Sequence, residues 1–287
     1  MTIQWFPGHM AKAKNQVSEQ LKYVDIVFEL VDGRLPLSSR NPMLDQILQQ
    51  KPRLVLINKA DLSDSIQTKK WEEYFKKQGF SALAINAQEN KGVNKIVASA
   101  KEALQEKIAR DKRRGIRPRP IRAMVIGIPN VGKSTLLNRL AGKKVAQTGN
   151  KPGVTKGQQW IRFGRDLELL DTPGILWPKF EDQEIGLKLA LSGAIKDQLL
   201  ALDDIALFGI DFFAHYYPEA LQNRYHLTEE EASLSTADLL MKITEKQGFR
   251  EDYQRGSERI INDIRQGKLG RFTLDRYEEM GETHDKT

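Results

Sequence analysis

The hydrophobic residues of this chain fall into two regions with different periodicity. Up to Pro178, short apolar runs alternate with stretches of helical spacing, which predicts strands and helices in alternation. Beyond Pro178 the strand pattern stops, and apolar residues recur at helical spacing as far as Met280. The pattern therefore predicts an α/β domain with a mostly parallel sheet (residues 1–178), followed by an all-helical domain (residues 179–287).

The short apolar runs define the expected elements of the α/β domain. Strands are expected at residues 25–31, 53–57, 81–85, 121–126, 158–163 and 167–170, the last two forming a hairpin. Helices are expected in an N-terminal arm (residues 1–23) and at residues 42–50, 65–78, 93–109 and 135–140. Residues 107–121 are rich in Lys, Arg, Gly and Pro. They are expected to form an exposed linker that either contacts phosphates or is simply solvated.

The composition excludes several classes of protein. The 287 residues include no cysteine, which excludes disulfides and thiolate metal sites and is typical of a reducing cytoplasm. No apolar run approaches the roughly 18 residues of a membrane helix, and the N-terminus lacks the hydrophobic segment of a signal peptide. We expect a cytoplasmic monomer with no membrane partner.

Charge is distributed unevenly along the chain. The net charge is +7, but residues 182–287 contain 13 Lys and Arg against 21 Asp and Glu. The first 181 residues therefore carry a net charge of +15 and the remainder −8. A surface charged only for solubility would not need this asymmetry, which favours a polyanionic partner such as nucleic acid.

The clearest chemical motif follows the predicted strand at residues 121–126. It reads GIPNVGKS from Gly127 and opens into helical spacing. Glycines let the backbone N–H groups surround phosphates, while Lys133 would reach the β- and γ-phosphates and Ser134 would bind Mg²⁺. The start of the following helix adds its dipole. The predicted nucleotide contacts of this loop are Asn130, Val131, Gly132, Lys133, Ser134 and Thr135.

Two further polar stretches follow predicted strands, where open α/β sheets bind ligands. The sequence DTPG begins 37 residues after Ser134; Asp171 can hold Mg²⁺ through water, and the Gly174 N–H can meet the γ-phosphate. In the sequence NKAD, the Asp61 carboxylate can accept both guanine N1–H and N2–H, so a site built on it would reject adenine. A loop that only caps the next helix is the alternative for Asn58-Lys59-Ala60-Asp61.

Together these stretches resemble the G1, G3 and G4 motifs of the translation-factor-like GTPases, which implies GTP as the nucleotide. Asn86-Ala87 is similar to the weaker G5 motif, usually Ser-Ala, whose backbone contacts guanine O6. Thr155, in the sequence PGVT, resembles the switch-I threonine that binds Mg²⁺, although an ordinary turn is the alternative. The NKxD and G5 segments come before the phosphate loop, an order that resembles the circularly permuted GTPases, with a linker joining the old termini.

The sequence WFPGHM (residues 5–10) and the helical C-terminal domain resemble the permuted GTPases of bacterial large-subunit assembly. One departure is Asp32-Gly33-Arg34, where that family usually has Asp-Ala-Arg. The resemblance implies a GTPase, stimulated by the ribosomal subunit, that binds the precursor large (50S) subunit through rRNA, promotes its late maturation and is released on GTP hydrolysis. A signalling or metabolic GTPase with a protein partner, and a non-catalytic RNA-binding module, are the alternatives.

Ile175 follows DxxG at the position where Ras-type enzymes carry a glutamine that orients water. The family resemblance implies His9 as the catalytic residue instead; a packing role at the Pro-Gly turn is the alternative.

Asn130 resembles the asparagine that binds K⁺ in cation-dependent GTPases. The resemblance also assigns rRNA contact to a basic run in the helical domain, for which ion pairs with interleaved acids are the alternative. This run comprises Arg250, Arg255, Arg259, Arg265, Lys268, Arg271 and Arg276.

Overall fold

The computed structural model describes residues 15, 17–142, 160–171, 182–195 and 201–280. By their contacts, these residues form two units. The α/β unit contains the described residues up to 171 together with residues 275–280, and the helical unit contains those from 182 to 274. Within the described part of the chain, no helix is long and apolar enough to cross a membrane.

One sheet organises the α/β unit. Its strands in the described residues are β1 (Ile26–Asp32), β2 (Arg53–Asn58), β3 (Ser81–Ala84), β4 (Ile121–Gly127), β5 (Trp160–Phe163) and β6 (Leu167–Asp171). The order across the sheet is β3-β2-β1-β4-β6-β5. All neighbours are parallel except β5 and β6, which form the expected antiparallel hairpin. The α/β class predicted from the alternating pattern is confirmed.

Helices connect the parallel strands. They are α1 (Pro42–Leu48), α2 (Ser65–Lys77), α3 (Ile96–Ala103), α4 (Gln105–Arg113) and α5 (Lys133–Ala141), with 3₁₀ turns at Leu21–Tyr23 and Val93–Lys95. The prediction of one continuous helix over residues 93–109 was wrong. The backbone leaves helical geometry at Leu104, where φ is −105° and ψ is 10°, so α3 and α4 are separate.

The predicted linker at residues 107–121 also needs correction, because its first part belongs to α4. Lys107 pairs with Asp111 at 2.7 Å, one helical turn away, and with Asp25 at 3.3 Å. Asp25 in turn receives two hydrogen bonds from Arg119, each 2.8 Å. Both ends of the basic segment are therefore held beside the start of β1, which an unattached linker would not be.

One face of β1 carries two parts of the hydrophobic core. Val27 packs with Leu44 and Leu48 of α1, whereas Val31 packs with Trp71 and Phe75 of α2. Residues 27 and 31 share a face because successive strand side chains alternate between faces. Packing on both helices fixes the register of β1 and hence the position of the residues at its carboxyl end.

The last described residues pack on the α/β unit, not on the helical one as the boundary at residues 179–287 implied. We call residues 275–280 the return segment. Asp275 accepts hydrogen bonds from the N–H groups of Leu37 (2.8 Å) and Ser38 (2.7 Å), and its carbonyl accepts the Trp71 indole N–H (2.9 Å). The Tyr277 ring packs edge-on against the Trp71 ring, with 5.8 Å between the ring centroids. These polar and aromatic contacts explain why the segment leaves the helical unit.

The helical unit has its own core. Its helices in the described residues are α6 (Gln183–Ser192), α7 (Leu202–Tyr216), α8 (Pro218–Tyr225), α9 (Glu229–Ala232), α10 (Thr236–Lys246) and α11 (Tyr253–Arg265). The apolar residues Ile210, Phe213, Ile243, Ile260 and Ile264 are buried within this unit. The expected all-helical character of this region is thus confirmed for the part of it that the structure describes.

Candidate functional site

The predicted motifs meet at the carboxyl edge of the sheet, where the strand order reverses. From β1 the chain runs to β2 and β3 on one side, and then to β4 and β6 on the other. In open α/β sheets such a reversal leaves a ligand-binding crevice outside the strand ends. Asp32, Asn58 and Gly127 are the last residues of β1, β2 and β4, so all three border this crevice.

The phosphate loop has a backbone that requires glycine at two positions. Gly127 has a φ of 154° and Gly132 a φ of 104°. A Cβ at Gly127 would lie 2.6 Å from the carbonyl oxygen of Leu30, and one at Gly132 would lie 2.3 Å from Asn58 Nδ2. Only glycine therefore lets the loop approach the neighbouring strand ends this closely.

The loop leads directly into the N-terminus of α5. The first bond of this helix runs from the Leu136 N–H to the Gly132 carbonyl at 2.9 Å, so the N–H groups of the first turn face the loop and can meet an anion. Lys133 is buried along the loop, where its ammonium donates to the carbonyls of Gly127 (2.9 Å) and Ile128 (2.7 Å). Ser134 follows in the first turn. This donor set fits a phosphate group and Mg²⁺.

Asn58 ties the three predicted nucleotide-binding segments together. Its side-chain nitrogen donates to the Val131 carbonyl in the phosphate loop at 2.8 Å. Its side-chain oxygen accepts the Ala87 N–H of the G5 segment at 3.0 Å. The Ala60 N–H also donates to the Ile85 carbonyl at 3.1 Å. Residues remote in sequence are therefore brought together as the motif assignment requires.

Lys59 is held by a carboxylate that sequence reasoning left without a role. Its ammonium lies 2.8 Å from Asp32 Oδ2, at the end of β1. Burial alone would raise the pKa of Asp32, but the charges of Arg34 and Lys59 lower that pKa far below its usual range. Burial lowers the pKa of Lys59, although Asp32 opposes this effect. The sequence feature that could have identified Asp32 is its position directly after the apolar, strand-like run at residues 25–31.

The G5 segment is fixed from two directions. Asn86 is buried and its side-chain oxygen accepts the Glu89 N–H at 2.9 Å, so this oxygen caps its own loop. From α5, Arg139 donates to the Ala87 carbonyl at 3.2 Å and to the Gln88 carbonyl. Arg139 was not predicted from the sequence. Its only signal was a basic residue on the helix that follows the phosphate loop.

Three predicted residues are not placed by the structure, and a fourth is described only through its backbone. His9, Thr155 and Gly174 lie outside the described residues. Asp171 is described through its backbone, as the last residue of β6 in register with Val125 of β4. That register sets Asp171, the first residue of the DxxG segment, beside the strand that leads to the phosphate loop. In the described part of the chain, no group of three or more His, Asp or Glu residues could hold a metal ion.

This fold and this arrangement of motifs define a GTPase with a circularly permuted nucleotide-binding domain. Residues 122–266 match the family described as 50S ribosome-binding GTPase. The NKAD and G5 segments lie before this matched stretch, as the permuted order requires.

The chain belongs to the ribosome biogenesis GTPase A family. It is 53% identical to Ribosome biogenesis GTPase A of Bacillus pumilus, covering 97% of this chain and 100% of that protein. The protein of the same name from Thermotoga maritima is 31% identical over 97% of this chain and 96% of that one. GNP-bound YlqF from T. maritima matches with a TM-score of 0.63 and 27% identity, over 92% of this chain and 98% of that one. The predicted family, the permuted fold and the GTPase activity are thus confirmed.

Proposed function

We propose that this GTPase binds the precursor of the large ribosomal subunit through rRNA, promotes its late maturation and leaves it when GTP is hydrolysed. It acts as a cytoplasmic monomer. The observation that carries the proposal is the match of residues 122–266, which extends from the phosphate loop into the helical unit, to a family described as 50S ribosome-binding. The net charge of +15 on the first 181 residues supports an rRNA contact.

The basic surface of α4 and the following turn is the best-supported rRNA contact. Exposed cationic side chains follow one another here, at Arg110, Lys112, Arg113, Arg114 and Arg117. Ile116 is 52% exposed among them. Clustered cations release counterions when they meet phosphates, which favours binding to a polyanion.

The basic run of the helical domain supports rRNA contact less well. Arg259 and Lys268 both pair with the buried Asp263, at 3.3 and 3.0 Å. Arg265 donates to the carbonyls of Ala190 and Leu191. Arg255 lies over the Phe249 ring, 4.7 Å from its centroid. These four side chains therefore have partners within the chain. For Arg259 and Lys268 the partner is an acid, as the ion-pair alternative predicts.

Guanine recognition belongs to the NKAD and G5 segments in this proposal. Asp61 pairs with N1–H and N2–H of the base, and Lys59 covers the base. Asn58 and Ala60 hold the segment, while the Ala87 backbone with Asn86 meets guanine O6. The phosphate loop and the Gly174 N–H bind the phosphates.

The proposal assigns protein ligands to Mg²⁺ and to K⁺. Mg²⁺ when bound supplies charge stabilisation to the phosphates, and Ser134, Thr155 and, through water, Asp171 would hold it. Asn130 would hold K⁺ beside the phosphates. Its φ of 58° sets it in the left-handed region that asparagine tolerates better than most residues.

His9 replaces the water-orienting glutamine of Ras-type enzymes. Ile175, the residue after DxxG, has an aliphatic side chain that offers no group to orient water. An imidazole both donates and accepts a hydrogen bond, so it can orient the water that attacks the γ-phosphate. The ribosomal partner places the N-terminal arm so that hydrolysis is stimulated on the subunit.

GTP turnover with and without purified large subunits, in K⁺ and in Na⁺ buffer, tests the proposal. Wild type should be stimulated strongly, and His9→Ala should lose the stimulation while still binding nucleotide. His215→Ala, at an exposed histidine of α7, is the control and should behave as wild type. Equal rates in the two cations would remove the K⁺ assignment, and stimulation that survives in His9→Ala would remove the histidine.

Charge variants test the rRNA contact separately. Arg113→Gln/Arg114→Gln should weaken subunit binding, and wild-type binding should fall steeply with salt concentration. Lys76→Gln/Lys77→Gln removes the same charge at the exposed end of α2 and should have little effect. Subunits that neither bind nor stimulate the wild type would instead favour a signalling GTPase with a protein partner.

A further inference from the structure

The Asp32 carboxylate binds two cations at once. It accepts hydrogen bonds from Arg34 through Nε at 3.0 Å and Nη2 at 2.8 Å, and Lys59 Nζ lies 2.8 Å from it. The Arg34 backbone N–H donates to the same carboxylate at 3.0 Å. Asp32 and Arg34 are each 2% exposed. Such a bidentate, desolvated pairing is geometrically specific, unlike a surface ion pair.

The backbone around this pair is fixed to the NKAD segment. Asp32 and Asn58 are partners in the parallel register of β1 and β2. The Gly33 N–H donates to the Asn58 carbonyl at 2.7 Å, and the Asp32 N–H donates to Ser39 Oγ at 2.9 Å. The cluster of Asp32, Arg34 and Lys59 is therefore fixed at the carboxyl ends of β1 and β2, where the NKAD segment begins.

Electrostatics link this cluster to Asp61. Burial alone would lower the pKa of Arg34, but the charges of Asp32 and, more weakly, Asp61 raise it. The charge of Asp61 also raises the pKa of Lys59, again more weakly than the charge of Asp32 does. Asp61 lies two residues after Lys59 in the same NKAD segment, so a second carboxylate is close to this cation, although Asp32 takes the direct hydrogen bonds.

Removing the charge of Asp32 would leave two largely buried cations with Asp61 as an anion within their reach. Buried charges need a partner, so Arg34 or Lys59 would turn to the Asp61 carboxylate. A carboxylate that accepts hydrogen bonds from a cation has fewer lone pairs to offer guanine N1–H and N2–H. Asp32 prevents this competition.

We propose that Asp32 and Arg34 are positioning residues for guanine recognition: Asp32 holds Arg34 and Lys59 and so reserves the Asp61 carboxylate for the base. This inference rests on the proposed pairing of Asp61 with guanine. It assigns a function to the Asp32-Gly33-Arg34 segment, whose buried ion pair contacts Lys59 of the NKAD segment.

The first test compares Asp32→Asn with Glu29→Gln. Asp32→Asn should raise the Kd for GTP and GDP about equally, by about tenfold or more, because the base is common to both nucleotides. Turnover at saturating GTP should stay within about twofold of wild type, since the phosphate end is unchanged. Glu29→Gln removes another buried carboxylate of β1, paired with Arg40 at 3.0 Å, and should leave both Kd values unchanged.

A double-mutant cycle separates positioning from general damage. Asp61→Asn should change the preference from guanosine to xanthosine triphosphate, because a carboxamide matches the 2-oxo group of xanthine. In that background Asp32→Asn should cost little affinity for xanthosine triphosphate, since no carboxylate is left for the cations to capture. A merely structural role would produce the same loss in both backgrounds and would overturn the proposal.

The outcomes distinguish this inference from its premise. If Asp61→Asn keeps its preference for GTP, the assignment of Asp61 fails and the inference fails with it. If the preference changes while Asp32→Asn binds GTP normally, the inference alone is wrong. Should Asp32→Asn not fold, Arg34→Lys keeps the charge but loses the bidentate pairing, and should raise both Kd values several-fold; unchanged values would overturn the proposal.

Discussion

Asn58 and Val131 are separated by 73 residues in the chain, yet the Asn58 side-chain nitrogen lies 2.8 Å from the Val131 carbonyl oxygen. The other end of the same amide accepts the Ala87 N–H. Asn58→Ala should therefore lower the free energy of unfolding by about 2–3 kcal/mol, because a buried donor and a buried acceptor lose their partner. It should also weaken GTP binding at least tenfold. Urea unfolding and nucleotide titration measure the two effects, with the exposed Asn94→Ala as the control.

Gly132→Ala tests the close approach of the phosphate loop to β2. The new Cβ would lie 2.3 Å from Asn58 Nδ2, and φ is 104°, so both strain and displacement of Asn58 are expected. GTP binding should be lost, not merely weakened. Gly79→Ala is a matched control, because its φ is 83° and its Cβ would meet nothing within 4 Å. It should cost about 1 kcal/mol of stability with normal binding. Equal effects of the two variants would show that the contact with Asn58 is unimportant.

Gly33→Ala introduces the alanine that the sequence resemblance leads us to expect between Asp32 and Arg34. In this chain its Cβ would lie 2.8 Å from Ser63 Oγ and 3.0 Å from the Asn58 carbonyl oxygen. We expect a loss of about 1–2 kcal/mol in unfolding free energy, because Ser63 is fully buried and has little room to move. Adding Ser63→Gly should recover part of this loss. Thermal or urea unfolding of the two single variants and the double variant gives the coupling; strict additivity would contradict the expected clash.

Glu278 gives the return segment a pH dependence. Burial raises the pKa of Glu278, but hydrogen bonds from Lys70 and Gln67 outweigh it and lower the pKa from 4.5 to about 2. A lowered pKa means that the charged form stabilises the fold above about pH 4.5, and that this stabilisation is lost as the pH falls towards 2. Because the side chain is 49% exposed, the effect should be about 0.5 kcal/mol.

Wild type should thus be slightly more stable than Glu278→Gln at pH 7, and the difference should shrink at pH 3. Urea unfolding at the two pH values measures it. Lys70→Gln removes one of the hydrogen-bond donors to Glu278, so in that background Glu278→Gln should cost less stability at pH 7. A difference that grows on acidification would contradict the sign of the argument.

The sequence was sufficient for features that depend on local pattern. Apolar runs located the strands, and turn-forming glycines located the phosphate loop, because both are set by neighbours in sequence. The break at Leu104 was missed because apolar spacing continues through it. The extension of α4 to Arg113 was missed because its cations suggested a linker, whereas the Lys107–Asp111 pair suits a helix.

Features that depend on register or distant packing were not accessible from sequence. The pairing of Lys59 with Asp32 follows from the alignment of β1 with β2, which a single sequence does not give. For Arg259 the sequence left RNA contact and an ion pair with an interleaved acid as alternatives; the structure pairs it with Asp263, whose burial is set by the helix packing. The contact of Asp275 with Ser38 joins residues 237 positions apart, beyond any local pattern.

The return segment also determines when, during translation, the α/β unit can finish folding. About 100 residues lie between the end of β6 at Asp171 and Asp275. At roughly 5–20 residues per second, the ribosome takes about 5–20 s to translate them. During that interval Trp71, which is fully buried in the finished molecule, has neither the Asp275 carbonyl nor the Tyr277 ring to cover it. The nucleotide-binding unit of a nascent chain is therefore completed only after the whole helical unit has been synthesised.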